Sequence, residues 1–253
     1  MKSAVLACAL LLAPLVALPE AGGRPSGYTF LGAELRALQD DDFANPGMLW
    51  VDRGVRLWNT ATGDAGKACA DCHGEPDTLR GVASRLPEWN ATRRRVENLE
   101  MRINDCRSTR QGAPKLVWEG DDLLGLTTLV AHQSRGLPVD IAVDAAAAAT
   151  LDRGREAYHR RRGQLDLSCA DCHENHVGRQ LRGDTVSAGT SNGFPIYRLT
   201  WETLGSRQRM VQWCFDAVRA EPPPWNSPDA LALELYLTWR DRGLAIETPA
   251  VRR

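Results

Sequence analysis

The pentapeptide Cys-Ala-Asp-Cys-His occurs twice in this chain, at Cys69–His73 and at Cys169–His173, one hundred residues apart. Cys-x-x-Cys-His is the attachment site of a c-type haem: two thiols form thioethers to the porphyrin, and the adjacent His ligates iron. Cys69, Cys72 and His73 are therefore candidates to hold one haem c, and Cys169, Cys172 and His173 a second. One copy alone could be a thiol pair of another kind. Two copies inside a longer repeat point to two covalently attached haem c groups.

The repeat supplies the elements that would position these residues. A helix precedes each motif: Asn45 is read as the cap of the first, with Pro46 at its first position, and Asp144 as the cap of the second, ahead of a run of alanines. Asp52-Arg53-Gly54 recurs as Asp152-Arg153-Gly154, seventeen residues before the first cysteine of each motif. An aromatic follows each glycine by four residues, Trp58 in one half and Tyr158 in the other, on the same helix face. A glycine inside a helix costs stability, so it marks close approach of another helix or a cofactor. Each half closes with an apolar helix, Leu123–Gly136 and Ala230–Gly243, where Gly136 and Gly243 stand at C-cap positions. A Gly-plus-aromatic first helix crossing an apolar last helix resembles the core of class I cytochrome c domains. Few segments carry strand patterning. The expected fold is mainly α, with two class I cytochrome c-like domains in tandem: an extension over 22–44, domain 1 over 45–137, a linker over 138–144 and domain 2 over 145–253.

Bulk properties agree with that plan. The 253 residues, 43% hydrophobic and 25% charged, allow two ordinary cores. A formal net charge of −1 gives no electrostatic reason to expect nucleic acid or an anionic membrane as partner. Residues 1–21 read as a secretory signal: Lys2 is its positive start, Val5–Leu18 its apolar stretch and Ala21 the neighbourhood of cleavage. The stretch is too short for a transmembrane anchor, so no membrane span is expected in the mature protein. Cys8 is discarded with the signal, and export to the periplasm is the expectation.

The second axial ligand of each iron must come from a short list. Outside the motifs and the signal, the cysteines are Cys106 and Cys214, the histidines His132, His159 and His176, and the methionines Met48, Met101 and Met210. Cys106 and Cys214 follow the second motif cysteine of their halves by 34 and 42 residues, equivalent places in the repeat, which favours one cysteine per iron. Two alternatives stay open: a Cys106–Cys214 disulfide, and ligation by Met101 and Met210. His176 is too near His173 to reach the opposite haem face, His132 ends an apolar helix, and His159 lies in a basic run. A thiolate ligand would lower the haem potential relative to Met and hold the sulfur deprotonated, the form that attacks other sulfur species. A nucleophilic sulfur beside a one-electron cofactor points toward sulfur redox chemistry.

The runs Tyr197-Arg-Leu-Thr-Trp201, Gly205-Ser206, Cys214, Val218-Arg219-Ala220-Glu221-Pro222 and Leu233-Glu234-Leu235-Tyr236-Leu237 resemble the SoxA family. These are the dihaem subunits of the SoxAX cytochromes of periplasmic thiosulfate oxidation. The resemblance extends from about Asp40 to Glu247-Thr248-Pro249. It implies a heterodimer with a SoxX-type monohaem cytochrome. It also implies an activity, oxidative coupling of thiosulfate to a cysteine of a SoxYZ-type carrier protein, that of an L-cysteine S-thiosulfotransferase. By position, it makes Cys106 the axial ligand of the first haem iron, opposite His73. Cys214 becomes that of the second, opposite His173, and the bearer of a cysteine persulfide.

One position departs from the family. Its members usually place an arginine four residues before the active cysteine, where this chain has Met210. Arg209 is adjacent but about 100° round a helix, Arg207 lies two turns from Cys214 on its face, and Arg219 follows it by five residues. Thiosulfate is a dianion and needs cations nearby, so Arg207, Arg209 and Arg219 are its candidate partners. The rival reading is a dihaem electron carrier with His/Met iron and no sulfur chemistry. A dihaem peroxidase fits less well, because it needs an open distal site and usually a longer chain.

Overall fold

The computed structural model describes residues 23–181 and 183–253. The signal reading of 1–21, with Cys8, lies outside the described residues.

In chain order the first half contains α1 (Ala33–Asp40), α2 (Met48–Trp58), α3 (Ala70–His73), the hairpin strands β1 (Glu88–Asn90) and β2 (Arg95–Glu97), α4 (Leu99–Cys106) and α5 (Asp121–His132). The second half contains α6 (Ala145–His159), α7 (Cys169–His173), β3 (Gln180–Leu181), β4 (Asp184–Thr185), β5 (Ile196–Arg198), β6 (Thr203–Gly205), α8 (Arg207–Ala217), α9 (Pro228–Arg240) and β7 (Ala250–Arg252). The chain is mainly α.

Local signals account for most helix starts. Asp144 caps α6 by accepting from the Ala147 amide at 2.9 Å, and the alanines behind it are strong helix formers. Ser227 caps α9 with Pro228 at the first position. The start of α2 differs from expectation. Asn45 Oδ1 accepts from the Gly47 amide at 2.9 Å, and its Nδ2 donates to the Pro249 carbonyl at 2.9 Å. The side chain tethers the C-terminal segment, and the helix begins at Met48 with Gly47 as its cap residue.

Each half is organised by one helix crossing, α2 on α5 and α6 on α9. The mid-helix glycines make these crossings possible. A Cβ on Gly54 would lie 2.4 Å from the Gly125 carbonyl oxygen, and one on Gly154 would lie 2.0 Å from that of Ala232. The backbones meet where any side chain would separate them. Trp58 and Tyr158, one turn beyond each glycine, are buried. Burial of such a side chain contributes roughly 1.5–3 kcal/mol.

The halves interlock. The β1–β2 hairpin belongs to the first half in sequence, yet Val96 packs in the core of the second with Leu151, Tyr158, Leu233 and Trp239. The C-terminal segment returns to the start: β5 pairs antiparallel with β6 and parallel with β7, and Gln39 of α1 accepts from the Val251 amide. Gly136 and Gly243 adopt positive φ, +81° and +84°, but several residues past the ends of α5 and α9. Their amides donate to Ile246 and Val139, pairing residues around the 138–144 segment with the stretch after α9.

Candidate haem and sulfur site

Both pentapeptides sit on a short helix behind a closed loop, and the two loops match. An isolated bridge joins Thr62 to Lys67 in one and Arg162 to Leu167 in the other. Gly63 and Gly163 each have φ of +68°, and a Cβ on either would meet a backbone oxygen, of Gln111 or of Val218, at 2.2 Å. In both halves, therefore, the chain just past the expected distal cysteine is clamped onto the loop just before the motif. The central Asp of the motif has a local task that sequence reasoning missed. Asp71 accepts from the Ala68 amide and Asp171 from the Ser168 amide, each at 2.8 Å, closing the turn that presents the cysteines. These amide bonds from Ser168 are the main reason the Asp171 carboxyl is held below its usual range.

The two cysteines expected as distal ligands lie on helices that precede the clamped segments of the two halves. Cys106 ends α4 and Cys214 lies in the last turns of α8. Burial is the main influence raising the Cys106 thiol, followed by the charge of Cys72; Cys69 is likewise raised by burial and then by Cys106. In the other half burial pushes the half-buried Cys214 up to about 12, with Cys169 and Cys172 adding to the rise and Arg198 opposing it. Each of these two thiols thus shares its environment with the motif cysteines of its own half. Among the described residues, Cys106 and Cys214 are not joined to each other.

The residues fit a c-type haem. His173 directs Nδ1 at the Ser187 carbonyl, 2.9 Å away, so that nitrogen must carry the proton and Nε2 is left as a bare donor for iron. Burial lowers the His173 pKa, favouring the neutral imidazole that a metal needs. Gly189 backs the ring, since a Cβ there would lie 2.7 Å from His173 Cγ. Near this ring, Tyr158 Oη and the Nε and Nη1 of Arg240 are buried with no partner among the described residues, donors suited to the carboxylates of a porphyrin. In the first half the His73 ring lies 5.7 Å from Trp58, whose Nε1 donates to the Gly74 carbonyl at 2.9 Å.

The other ligand candidates have different surroundings. Met48 packs in the first core, and Met210 packs against Phe194, Ile196 and Ala250. Met101 precedes Cys106 by five residues on α4, about 140° round the helix. His132 Nδ1 lies 3.2 Å from the Thr248 carbonyl oxygen, His159 Nε2 lies 3.5 Å from Glu174, and His176 Nδ1 meets the Asp171 carbonyl.

The three candidate arginines also have other partners. Arg207 points to Glu234 at 3.7 Å, Arg209 stacks on Trp201 and donates to the Leu204 carbonyl at 3.0 Å, and exposed Arg219 donates to Gln164 at 3.3 Å. Among the described residues, the cation whose charge reaches the Cys214 thiol is Arg198 on β5. It lies within the Tyr197–Trp201 run, with no local pattern that marks it as a site residue. The available signal was an arginine between apolar neighbours in a strand-like run, a charge with no local partner.

Comparison with known proteins agrees with this geometry. A family model described as the SoxA/TsdA cytochrome c domain matches residues 53–139, and it implies covalently bound haem c. The SoxA subunit of L-cysteine S-thiosulfotransferase from Pseudaminobacter salicylatoxidans is 41% identical over 230 residues, covering 90% of this chain and 80% of that protein. The corresponding subunit from Rhodovulum sulfidophilum is 42% identical, covering 90% and 79%. The crystal structure of SoxXA from P. pantotrophus superposes with a TM-score of 0.87 at 38% identity, over 90% of this chain and 86% of that one. With relatives so similar over nearly its whole length, this chain belongs to the SoxA family of L-cysteine S-thiosulfotransferase subunits.

Proposed function

We propose that the chain is the catalytic dihaem subunit of a SoxAX-type complex, working in thiosulfate oxidation in the periplasm after removal of residues 1–21. Its partners are a SoxX-type monohaem cytochrome and a SoxYZ-type carrier protein. Two cytochrome c units, 45–137 and 145–253 joined by 138–144, would each hold one haem. The first would use Cys69, Cys72, His73 and Cys106, and the second Cys169, Cys172, His173 and Cys214. The paired helix crossings and the paired glycine clamps support this division.

In the overall reaction a sulfur–sulfur bond forms between the carrier cysteine thiolate and the outer sulfur of thiosulfate. The product is a cysteine S-thiosulfonate, and two electrons leave to the cytochrome acceptor. The bound haem supplies an iron that accepts electrons one at a time. The chain's own residues do the rest. Ser187 fixes the His173 tautomer, Asp171 holds the turn that presents the thioether cysteines, and α8 brings Cys214 to them. Cys214 is the reactive sulfur and carries a persulfide, its outer sulfur taken from thiosulfate as sulfite leaves.

The observation that carries this reading is that Cys214, on α8, lies close enough to feel the charges of both cysteines of the second motif. The His/Met carrier reading would need the sulfur of Met210, which instead meets Arg198 and the Phe194 cluster. The test is thiosulfate-dependent reduction of a cytochrome acceptor with the SoxX-type and carrier partners present. Cys214→Ser, with haem retained, is expected to abolish the rate; an unchanged rate would overturn the proposal.

A further inference from the structure

The geometry points to Arg198 as the anion-binding residue of the Cys214 site, taking the sulfonate end of thiosulfate. This deepens the reading above, since it rests on Cys214 being the reactive sulfur.

Arg198 ends β5 and is only 8% exposed. A guanidinium is permanently charged and carries five N–H donors in a fixed plane. Here one donor, Nη1, meets the thioether sulfur of Met210 at 3.7 Å, a weak acceptor. Nε is buried with no partner among the described residues. Among the described residues no carboxylate lies within ion-pair distance of it, although the charges of Asp184 and Cys214 both act on it. A buried cation without a paired anion is costly unless a ligand completes it.

The surroundings of the guanidinium suit a small anion. The guanidinium carbon lies 5.2 Å from the Trp201 ring centroid and 4.9 Å from that of Trp213. Two indoles hold the group in place, and Trp213 is the residue immediately before Cys214. The charge is therefore coupled to the segment that carries the sulfur. Trp213 is 44% exposed, which puts Arg198 one ring below solvent. A planar fork facing a tetrahedral oxyanion makes paired N–H···O bonds, so it discriminates a sulfonate from a neutral sulfur compound.

The test uses the haem-loaded complex with its carrier, and Arg198→Met and Arg198→Lys variants. Thiosulfate kinetics are paired with calorimetric titration of sulfate, an unreactive dianion. Arg198→Met is expected to raise the thiosulfate KM at least about tenfold, with the carrier KM unchanged, and to weaken sulfate binding about as much. Arg198→Lys keeps the charge without the fork and should fall between. Unchanged KM and unchanged sulfate affinity in both variants would overturn the assignment. So would an effect confined to the haem absorption or potential, which would make Arg198 a partner of a haem carboxylate. A wild-type complex that binds sulfate through Arg198 but does not turn over thiosulfate would sink the functional reading and leave the anion site standing.

Discussion

Arg198 and Met210 are in contact, guanidinium Nη1 to thioether sulfur at 3.7 Å, across the gap between β5 and α8. The contact defines the neighbourhood of Cys214, four residues further along α8. It keeps the methionine sulfur turned to a cation and to the Phe194 cluster, and leaves the cysteine as the sulfur facing the second motif.

Met210→Leu follows as a test of ligation. A thioether replaced by an isosteric hydrocarbon in an apolar cluster should cost less than about 1.5 kcal/mol. The haem absorption spectrum should be unchanged. Loss of an axial ligand signature in this variant would show that Met210, not Cys214, binds iron.

The helix crossings make a second prediction. Gly154→Ala should destabilise by about 1–3 kcal/mol, because its Cβ would lie 2.0 Å from the Ala232 carbonyl oxygen, outweighing alanine's better helix propensity. The melting temperature should fall by roughly 2–10 °C. Gly54→Ala, with 2.4 Å to the Gly125 oxygen, should behave alike. A melting temperature unchanged in both would mean that the crossings are looser than described.

Folding stability should depend on pH through the seam between the halves. Glu234 accepts from Asn98 and Gln208 at 2.9 and 2.8 Å and faces Arg207. Burial, and then the charge of Glu234, pushes the Glu100 carboxyl up to about 8 from 4.5, with Arg207 opposing and Glu119 adding to the rise. A carboxyl raised by folding binds more protons folded than unfolded, so its contribution is complete below pH 4.5 and is lost as pH climbs toward 8. Denaturant titrations across that window should show Glu100→Gln losing less stability than the wild type. Parallel curves would contradict the assignment.

In the proposed dihaem arrangement the first haem should serve a different task from the second. Cys106→Met replaces the proposed thiolate with a thioether, so one haem potential should rise while the thiosulfate KM stays the same. A raised KM in this variant would place substrate at the first site as well.

How much of this was legible in the sequence depends on the range of the interaction. Gly54 with Trp58 and Gly154 with Tyr158 could be read because helix periodicity is local, and Asp144 could be read as a cap because its acceptor serves an amide three residues on. Asn45 could not, since its side chain is drawn to Pro249, 204 residues away. Domain edges drawn along the chain likewise gave no sign that Val96 would pack in the second core. Arg198 was hidden for the same reason. Its strand is three residues long, its parallel partner β7 lies at the far end of the chain, and its contact with α8 exists only after folding. The arginines close to Cys214 in sequence are the ones local spacing picks out, and tertiary structure sets Arg207 toward Glu234 and Arg209 on Trp201.

The central claim is that Cys214 is the reactive sulfur, and mass spectrometry of the complex after exposure to thiosulfate tests it most directly. The Cys214 peptide is expected to carry one extra sulfur atom while the Cys106 peptide carries none. Extra sulfur on Cys106, or on neither cysteine in a complex that turns over thiosulfate, would contradict the account.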